Sequence, residues 1–424
     1  MKETARNMLD FIDKSPSPYH AVKNIADSLE KAGFTRLQEG KRWEICEGAK
    51  YYVIKNSSSV IAFEKGSDAS PFMICASHSD SPSFKIKEEE KGVYVRLSTE
   101  KYGGMILYSW FDRPLSIAGR VVLKTENGVA ERLLNIDRDL LVIPSVAIHM
   151  QRNANEGFSP NPAVDLLPLL SLDKSVTLKG LLSAELSVAE EDILAHDLYL
   201  YTRQKGSFFG ANEELIVSPR LDDLECAYTS LSAFIDSKST GATKVLAVFD
   251  NEEVGSETKQ GAASTFLSDV LERISPDRES YLASLESSFM VSADNAHAKH
   301  PAHPEFSDAA FAPLLSGGVV IKYNANQRYT TDAISSAVFE KICKDSGVKV
   351  QYFRNRADKL GGSTLGSISN TKVSVSTIDI GLAELAMHSA VETASVSDVL
   401  EMQKALTAFY GARLEKNAEE IVIK

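Results

Sequence analysis

Apolar positions repeat with a different period in each of three successive regions of this chain. Residues 4–13 and 19–32 carry the spacing of amphipathic helices. The intervening SPSP separates them, because Pro16 and Pro18 have no N–H to donate. Runs of strand length follow at YYVIKN and SVIAFEK, and PFMICASHSDSP adds a short apolar strand, Phe72 to Ala76, that stops at His78. From about Glu88 to Leu215 the pattern changes. GVYVRL, MILYSW, RVVLKT and HDLYLYT read as strands separated by turn residues, with few helical stretches. Beyond that point strands and helices alternate. LECAYTSLSAFIDS, GAASTFLSDVLERI, TDAISSAVFEKICKDSG and a final stretch from Val396 to about Glu415 read as helices, whereas KVLAVFD, SSFMVSAD, GGVVIKYN, VKVQYF and KVSVSTIDIG read as strands. Such alternation predicts an α/β fold, a mostly parallel sheet with helices on its faces. The economical architecture is one discontinuous α/β domain, residues 1–88 and 216–424, interrupted by an inserted β-rich domain at 89–215.

A length of 424 residues supports this two-part reading, being more than one ordinary core requires. With 43% hydrophobic and 25% charged residues the composition is that of a globular protein. The formal charge of -12 disfavours nucleic acid and anionic membranes as partners. No apolar run is long enough to span a bilayer, and the charged N-terminus does not resemble a secretory signal. Cys46, Cys75, Cys226 and Cys343 form no CxxC, which fits a reduced, cytoplasmic setting and buried thiols.

Chemistry concentrates where the strands end. In an open α/β sheet the reactive crevice lies at the carboxyl ends of the strands. His78 and Asp80 follow one strand, Glu252 and Glu253 the strand in KVLAVFDNEEVGS, and Asp294 the strand in SSFMVSAD. Asp222 and Asp223 follow LIVSPR, and His388 lies beyond the strand ending near Ile380. Carboxylates gathered at one edge repel one another and take up protons unless a cation is present. Imidazole and carboxylate without thiolate suit catalytic zinc, with manganese or cobalt as substitutes. The donors exceed what one open site needs, so two metals sharing a carboxylate is the better count. Two residues beyond His78, Asp80 is placed to accept the other N–H of that imidazole. In the glutamate pair one carboxylate binds metal and the other stands over the attacking water.

ASHSDSP, SPRLDDL, DNEEVGS, SADNAHAKHP, GGVVIKYNANQRY and LAMHS together resemble the M18 aspartyl aminopeptidases, from the first helix to the last. The resemblance implies a three-layer zinc-exopeptidase-like catalytic domain with an inserted dimerisation domain, commonly assembled into a tetrahedral dodecamer. Carried over by motif, His78 and Asp294 hold one zinc, Glu253 and His388 the other, and Asp222 bridges them. Glu252 is then the general base that takes a proton from the zinc-activated water, with Asp80 the partner of His78. His149, in IPSVAIHMQRN, matches a histidine that enters the active site of a neighbouring subunit. On that basis, losing the insert should spare metal binding and abolish turnover. His297 lies beside the metals, and Lys322 and Tyr329 match positions tied to the substrate's acidic side chain and the catalytic pocket. The implied activity is removal of N-terminal Asp or Glu from peptides. A broader or neutral-preferring aminopeptidase and a deacylase on the same sheet are alternatives, and a non-catalytic scaffold would lack ligands.

Two positions depart from the family pattern. Ser145 stands where many relatives have histidine, and Leu360 precedes the glycines of GGSTLG where proline or cysteine is common. That glycine segment lacks the lysine of a phosphate loop and reads as a place of close backbone approach. His300 and His303 read as loop residues, His20 and His196 as structural ones.

Overall fold

The four most continuous apolar runs become the centre of a nine-stranded sheet. Residues 1–417 and 420–424 are described by the computed structural model. The sheet runs Thr35–Leu37, Lys50–Lys55, Ser59–Glu64, Thr243–Phe249, Phe72–His78, Phe289–Ala293, Ser376–Gly381, Val319–Tyr323, Val350–Arg354. Thr243–Phe249 through Ser376–Gly381 are mutually parallel, so their carboxyl ends share one edge. Antiparallel pairings flank them, which makes the sheet mixed.

Strand periodicity sends alternate side chains to opposite faces. Met73 and Cys75 face a core built with the helices Lys2–Asp13, Pro18–Lys31, Leu221–Asp236, Ala333–Asp345 and Val396–Tyr410. Ile74 and Ala76 face a second core under Phe266–Ile274, Arg278–Glu286 and Leu365–Ser369. Three layers result. Local signals set the helix ends: Pro18 occupies the first turn of its helix, and Asp332 with Ser335 forms a capping box worth about 1 kcal/mol.

The inserted unit is a six-stranded antiparallel sheet ordered Gly128–Asn135, Leu115–Thr125, Ile193–Thr202, Ser83–Lys91, Val95–Tyr102, Leu169–Ser171. Phe84, Leu97, Trp110, Ile117 and Leu198 build its core, separate from those of the large sheet. Its strands claim Ser83 at one end and stop at Thr202 at the other, several residues before the expected limits of 89 and 215. A period-two pattern continues across both domain joins and so does not mark them.

Other expectations shift for local reasons. MILYSW is not a strand; Leu107–Trp110 forms a 3-10 turn whose Leu107 and Trp110 pack on the insert core. Leu215–Ser218 pairs with Ser207–Phe209 and Glu392–Ser395 in a separate three-stranded sheet. The last long helix stops at Tyr410, with Gly411 as its cap, and Leu414–Lys416 returns as a strand. Arg278–Glu286 is a helix that periodicity did not disclose, capped by Asp277 on the Ser280 N–H. Cys75, Cys226 and Cys343 are buried thiols, but Cys46 is exposed. Among the described residues no helix is long and apolar enough to cross a membrane.

Candidate active site

Three of the four central strands deliver side chains to the shared edge. His78 ends Phe72–His78, Asp294 immediately follows Phe289–Ala293, and Glu252 and Glu253 open a 3-10 turn just after Thr243–Phe249. Asn251 at φ +64° and Gly255 at φ +99° make that turn sharp, a conformation asparagine and glycine tolerate best. Asp222 arrives from the first turn of Leu221–Asp236, and His388 from the segment ahead of Glu392–Ser395. These last two therefore reach the edge from outside the large sheet.

The side chains converge as three overlapping triads, of which two share Asp222 and the third is His78, Glu252 and Glu253. His78, Asp222 and Asp294 present ligand atoms within 4.8 Å of one another, as do Asp222, Glu253 and His388. Asp222 turns one oxygen to each imidazole: Oδ1 lies 3.4 Å from His78 Nε2 and Oδ2 lies 3.2 Å from His388 Nε2. His388 Nε2 is also 3.4 Å from Glu253 Oε1. Asp222 Oδ1 and Glu253 Oε1 are buried without a hydrogen-bond partner. Orphaned carboxylate oxygens facing imidazole nitrogens are the donor set of a divalent cation, so the residues fit zinc.

The outward nitrogens are also engaged. His78 Nδ1 lies 3.1 Å from the Asp80 carbonyl oxygen and 3.4 Å from its Oδ1, and His388 Nδ1 lies 2.7 Å from the Gly104 carbonyl oxygen. An N–H donated there turns each Nε2 lone pair inward. Asp80 has a second task beyond facing His78. Its Oδ1 accepts the N–H of Glu252 and its Oδ2 that of Glu253, both at 3.2 Å.

Electrostatics tells the same story. Burial pushes the Glu253 carboxyl well up, and the Asp222 charge adds to it. Burial holds Glu252 up to about 8, relieved by His78 and reinforced by Asp294 and Asp80. Burial also pushes Asp222 up, but the hydrogen bond with His388 and the closeness of both imidazoles outweigh it, so it sits below the ordinary carboxylate range. Against the burial that lowers it, Asp222 and Glu253 raise His388 to about 10. The protein alone balances its carboxylates with protons on imidazole, in the positions that metal cations compete for.

Lys322 is neither a surface lysine nor an open cation. It is 1% exposed, and its ammonium donates to the carbonyl oxygens of Asp294 at 2.7 Å and Asn295 at 3.2 Å, with Asp294 Oδ1 at 3.4 Å. Tyr329 is buried with its ring 5.1 Å from that ammonium. His297 opens onto a cleft of ≈ 240 Å³ with Arg354, Arg356 and Lys359; the protein packed round its ring, together with Lys322, lowers its pKa although its surface remains exposed, favouring neutral imidazole. His149 is exposed and belongs to neither triad of its own chain.

The remaining sequence readings resolve simply. His303 pairs with Glu305 and stacks on Phe306 in a surface loop beside His300. His20 Nδ1 meets Ser17, and His196 lies in a strand of the insert. Ser145 N–H donates to Asp112, and Leu360 is fully exposed at the cleft. Gly366 allows its helix to approach Ser292 and Asp379, where a Cβ would come within 2.7 Å. Sequence reasoning placed Asp223 at the edge without giving it a role, and its Oδ2 accepts the His78 backbone N–H at 3.1 Å; it missed Glu392, which accepts the N–H groups of Asp222 and His388. Nothing in the sequence marked Glu392.

Comparison with known proteins places this geometry. The profile of the aminopeptidase I zinc metalloproteases (M18) matches residues 11–410. A probable M18 family aminopeptidase 2 from Clostridium acetobutylicum is 46% identical, over 96% of this chain and 98% of its own. The cryo-EM structure of an Ape4 and Nbr1 complex contains a chain 35% identical, with TM-score 0.94 over 97% of this chain and 86% of that one. The mApe1 dodecamer of S. cerevisiae is 26% identical, with TM-score 0.83 over 96% of each chain.

Proposed function

Because the chain belongs to the M18 family of zinc metalloaminopeptidases, we propose that it removes N-terminal residues from peptides, preferring Asp and Glu, at a site of two zinc ions with Glu252 as general base. The observation carrying this is the pair of triads that share Asp222, with buried oxygens left open between imidazoles. His78 and Asp294 would hold one ion, Glu253 and His388 the other, and Asp222 would bridge. Bound there, zinc supplies Lewis acidity that polarises the scissile carbonyl and lowers the pKa of water towards about 7.

The chain's own groups do the rest. Glu252 takes the proton from the attacking water on a carboxylate oxygen and returns it to the departing amine nitrogen. Nearby cations favour its ionised form, the form a base requires. Asp80 fixes Glu252 and Glu253 through their backbone N–H groups. His297, neutral and beside the site, donates to the developing oxyanion.

An acidic preference draws support from positive charge on the approach. Arg354, Arg356 and Lys359 line the cleft beside His297, with Asp308 opposing them and Arg356 paired with Asp358 at 2.8 Å. The engagement of Lys322 by Asp294 favours a second reading, broad specificity, since that ammonium does not stand open to a substrate carboxylate. Purified protein should contain two zinc ions per subunit. Asp, Glu, Leu and Lys aminoacyl substrates assayed side by side decide specificity, and faster cleavage of Leu than of Asp and Glu overturns the preference. Full activity in Glu252→Gln overturns the base.

The chain also assembles with copies of itself in this reading, as a dodecamer, by likeness to the S. cerevisiae structure. Val146, Ile148 and Met150 are about half exposed or more around His149, an apolar segment that calls for a cover. In a mixed assembly of His149→Ala and Glu252→Gln subunits, activity above that of either parent supports His149 acting across the interface. No gain argues against it.

A further inference from the structure

The insert does more in its own subunit than carry a histidine to a neighbour. Its strand Val95–Tyr102 ends against the proposed metal-ligating edge, and the next seven residues reach Glu253 of the turn and the His388 loop. Tyr102 is buried, and its hydroxyl donates to Asp80 Oδ2 at 2.7 Å, the same oxygen that accepts the Glu253 N–H. The Tyr102 oxygen in turn accepts from Asn251 Nδ2 at 2.9 Å, at the start of the glutamate turn. Gly103 follows at φ +81°, where a Cβ would meet Glu253 Cβ at 3.1 Å. The Gly104 carbonyl faces His388 Nδ1, the Ile106 N–H donates to the His388 carbonyl at 2.9 Å, and Ser109 Oγ accepts the Ala390 N–H at 2.9 Å. His388 itself sits at φ +66°, a conformation that a non-glycine residue keeps only when its surroundings hold it.

We propose that residues Tyr102 to Ser109 form a brace, within one subunit, for the Glu253–His388 half of the metal site, and that Tyr102 is a positioning residue for Glu252 and Glu253 acting through Asp80. Each Asp80 oxygen accepts one backbone N–H at 3.2 Å, and the Tyr102 hydroxyl adds a shorter bond to Oδ2 at 2.7 Å, which ties the carboxylate to the insert as well as to the turn. Removing the insert would take away the brace together with His149. Metal retention is then lost along with turnover, contrary to the expectation from sequence that deletion spares the metal.

The inference rests on the proposed ligand and base assignments, and its test separates the two. Tyr102→Phe keeps the ring, whose edge packs on Tyr199 with centroids 5.2 Å apart. Tyr199→Phe removes a hydroxyl from the same cluster without a bond to Asp80 and serves as the control. On full-length, zinc-loaded protein the measurements are kcat, KM, the rate of zinc transfer to a colorimetric chelator, and the melting midpoint. Partners one shell beyond a metal ligand change affinity or activity by about 10- to 100-fold. Acting one contact further out, through Asp80, Tyr102→Phe should lower kcat and speed zinc loss by up to about tenfold, with KM near wild type and melting nearly unchanged. Tyr199→Phe should change neither rate.

Wild-type kcat and zinc retention in Tyr102→Phe overturn the proposal, as does a lowered melting midpoint with normal activity per folded molecule. Should Tyr102→Phe fail to fold, Gly103→Ala leaves the hydroxyl in place and presses on Glu253. Faster zinc loss there supports the brace, and wild-type retention overturns it. If Glu252→Gln proves active, the base assignment falls alone, because zinc transfer still reports on the brace.

Discussion

Replacing Lys322 by methionine separates two roles for a buried cation. Methionine nearly matches the stem but leaves the carbonyls of Asp294 and Asn295 without a donor and the Asp294 carboxylate without its ammonium at 3.4 Å. The lost attraction at that distance is about 5 kcal/mol with an effective dielectric near 20, and each abandoned carbonyl adds about 1 kcal/mol. The ammonium's own desolvation, several kcal/mol, no longer has to be met. The net loss in zinc-free protein is therefore about 3 kcal/mol, read from urea unfolding followed by circular dichroism. With zinc loaded the penalty should shrink, since Asp294 then faces a second cation.

Kinetics supplies the sharper half of the experiment. If Lys322 anchors Asp294, kcat/KM falls for Asp, Glu and Leu substrates alike, and the acidic-to-neutral ratio stays within about threefold, under 1 kcal/mol. Loss of Asp and Glu cleavage with Leu untouched would refute the reasoning and return Lys322 to the substrate side chain, as the family resemblance implies. Unchanged stability would refute it as well.

Glu252→Gln, isosteric but unable to take a proton, should keep its zinc and lose about 10²- to 10⁴-fold in kcat, checked by metal analysis beside steady-state rates. Arg356→Gln combined with Lys359→Gln at the cleft should reduce kcat/KM for acidic substrates and leave Leu unchanged in the same panel. Gly381→Ala would set a Cβ 2.0 Å from the Asp294 carbonyl oxygen, so zinc stoichiometry should drop below two per subunit. Burial raises Asp398 to about 6 from 3.8, against the Ser316 and Gly318 N–H groups that lower it. A raised carboxyl binds its proton more tightly when folded, so stability is full below about pH 4 and declines as pH rises through 6, by up to about 3 kcal/mol. Asp398→Asn should flatten that decline in urea midpoints measured from pH 4 to 7.

What the sequence discloses is what lies along one strand and its end. The Ile74 and Met73 alternation, the stop at His78 and the glutamates after Phe249 are local, and they placed the central sheet and its edge. Partnerships between different elements leave no such pattern, even at separations of 22 and 28 residues. Tyr102 meets Asp80 because two sheets abut, and Lys322 meets the Asp294 carbonyl because Val319–Tyr323 lies one strand away from Phe289–Ala293. A lysine in a strand reads alike whether it reaches substrate or a neighbouring loop.

The doubled glutamate shows what those hidden partnerships are for. On the proposed assignment the two adjacent carboxylates have different tasks and need a backbone that cannot swap them, and the turn alone does not ensure it. Asp80 supplies the constraint by taking both N–H groups, which places a third acid beside the first two and raises the electrostatic cost. A neutral hydroxyl is the partner that steadies Asp80 without adding charge, and burial keeps Tyr102 protonated by pushing its pKa far up. A lysine there would pair with Asp80 but compete with the metals for the field of the site. On the proposed di-zinc reading the insert thus contributes a donor rather than a charge, because the charge would come from the cations.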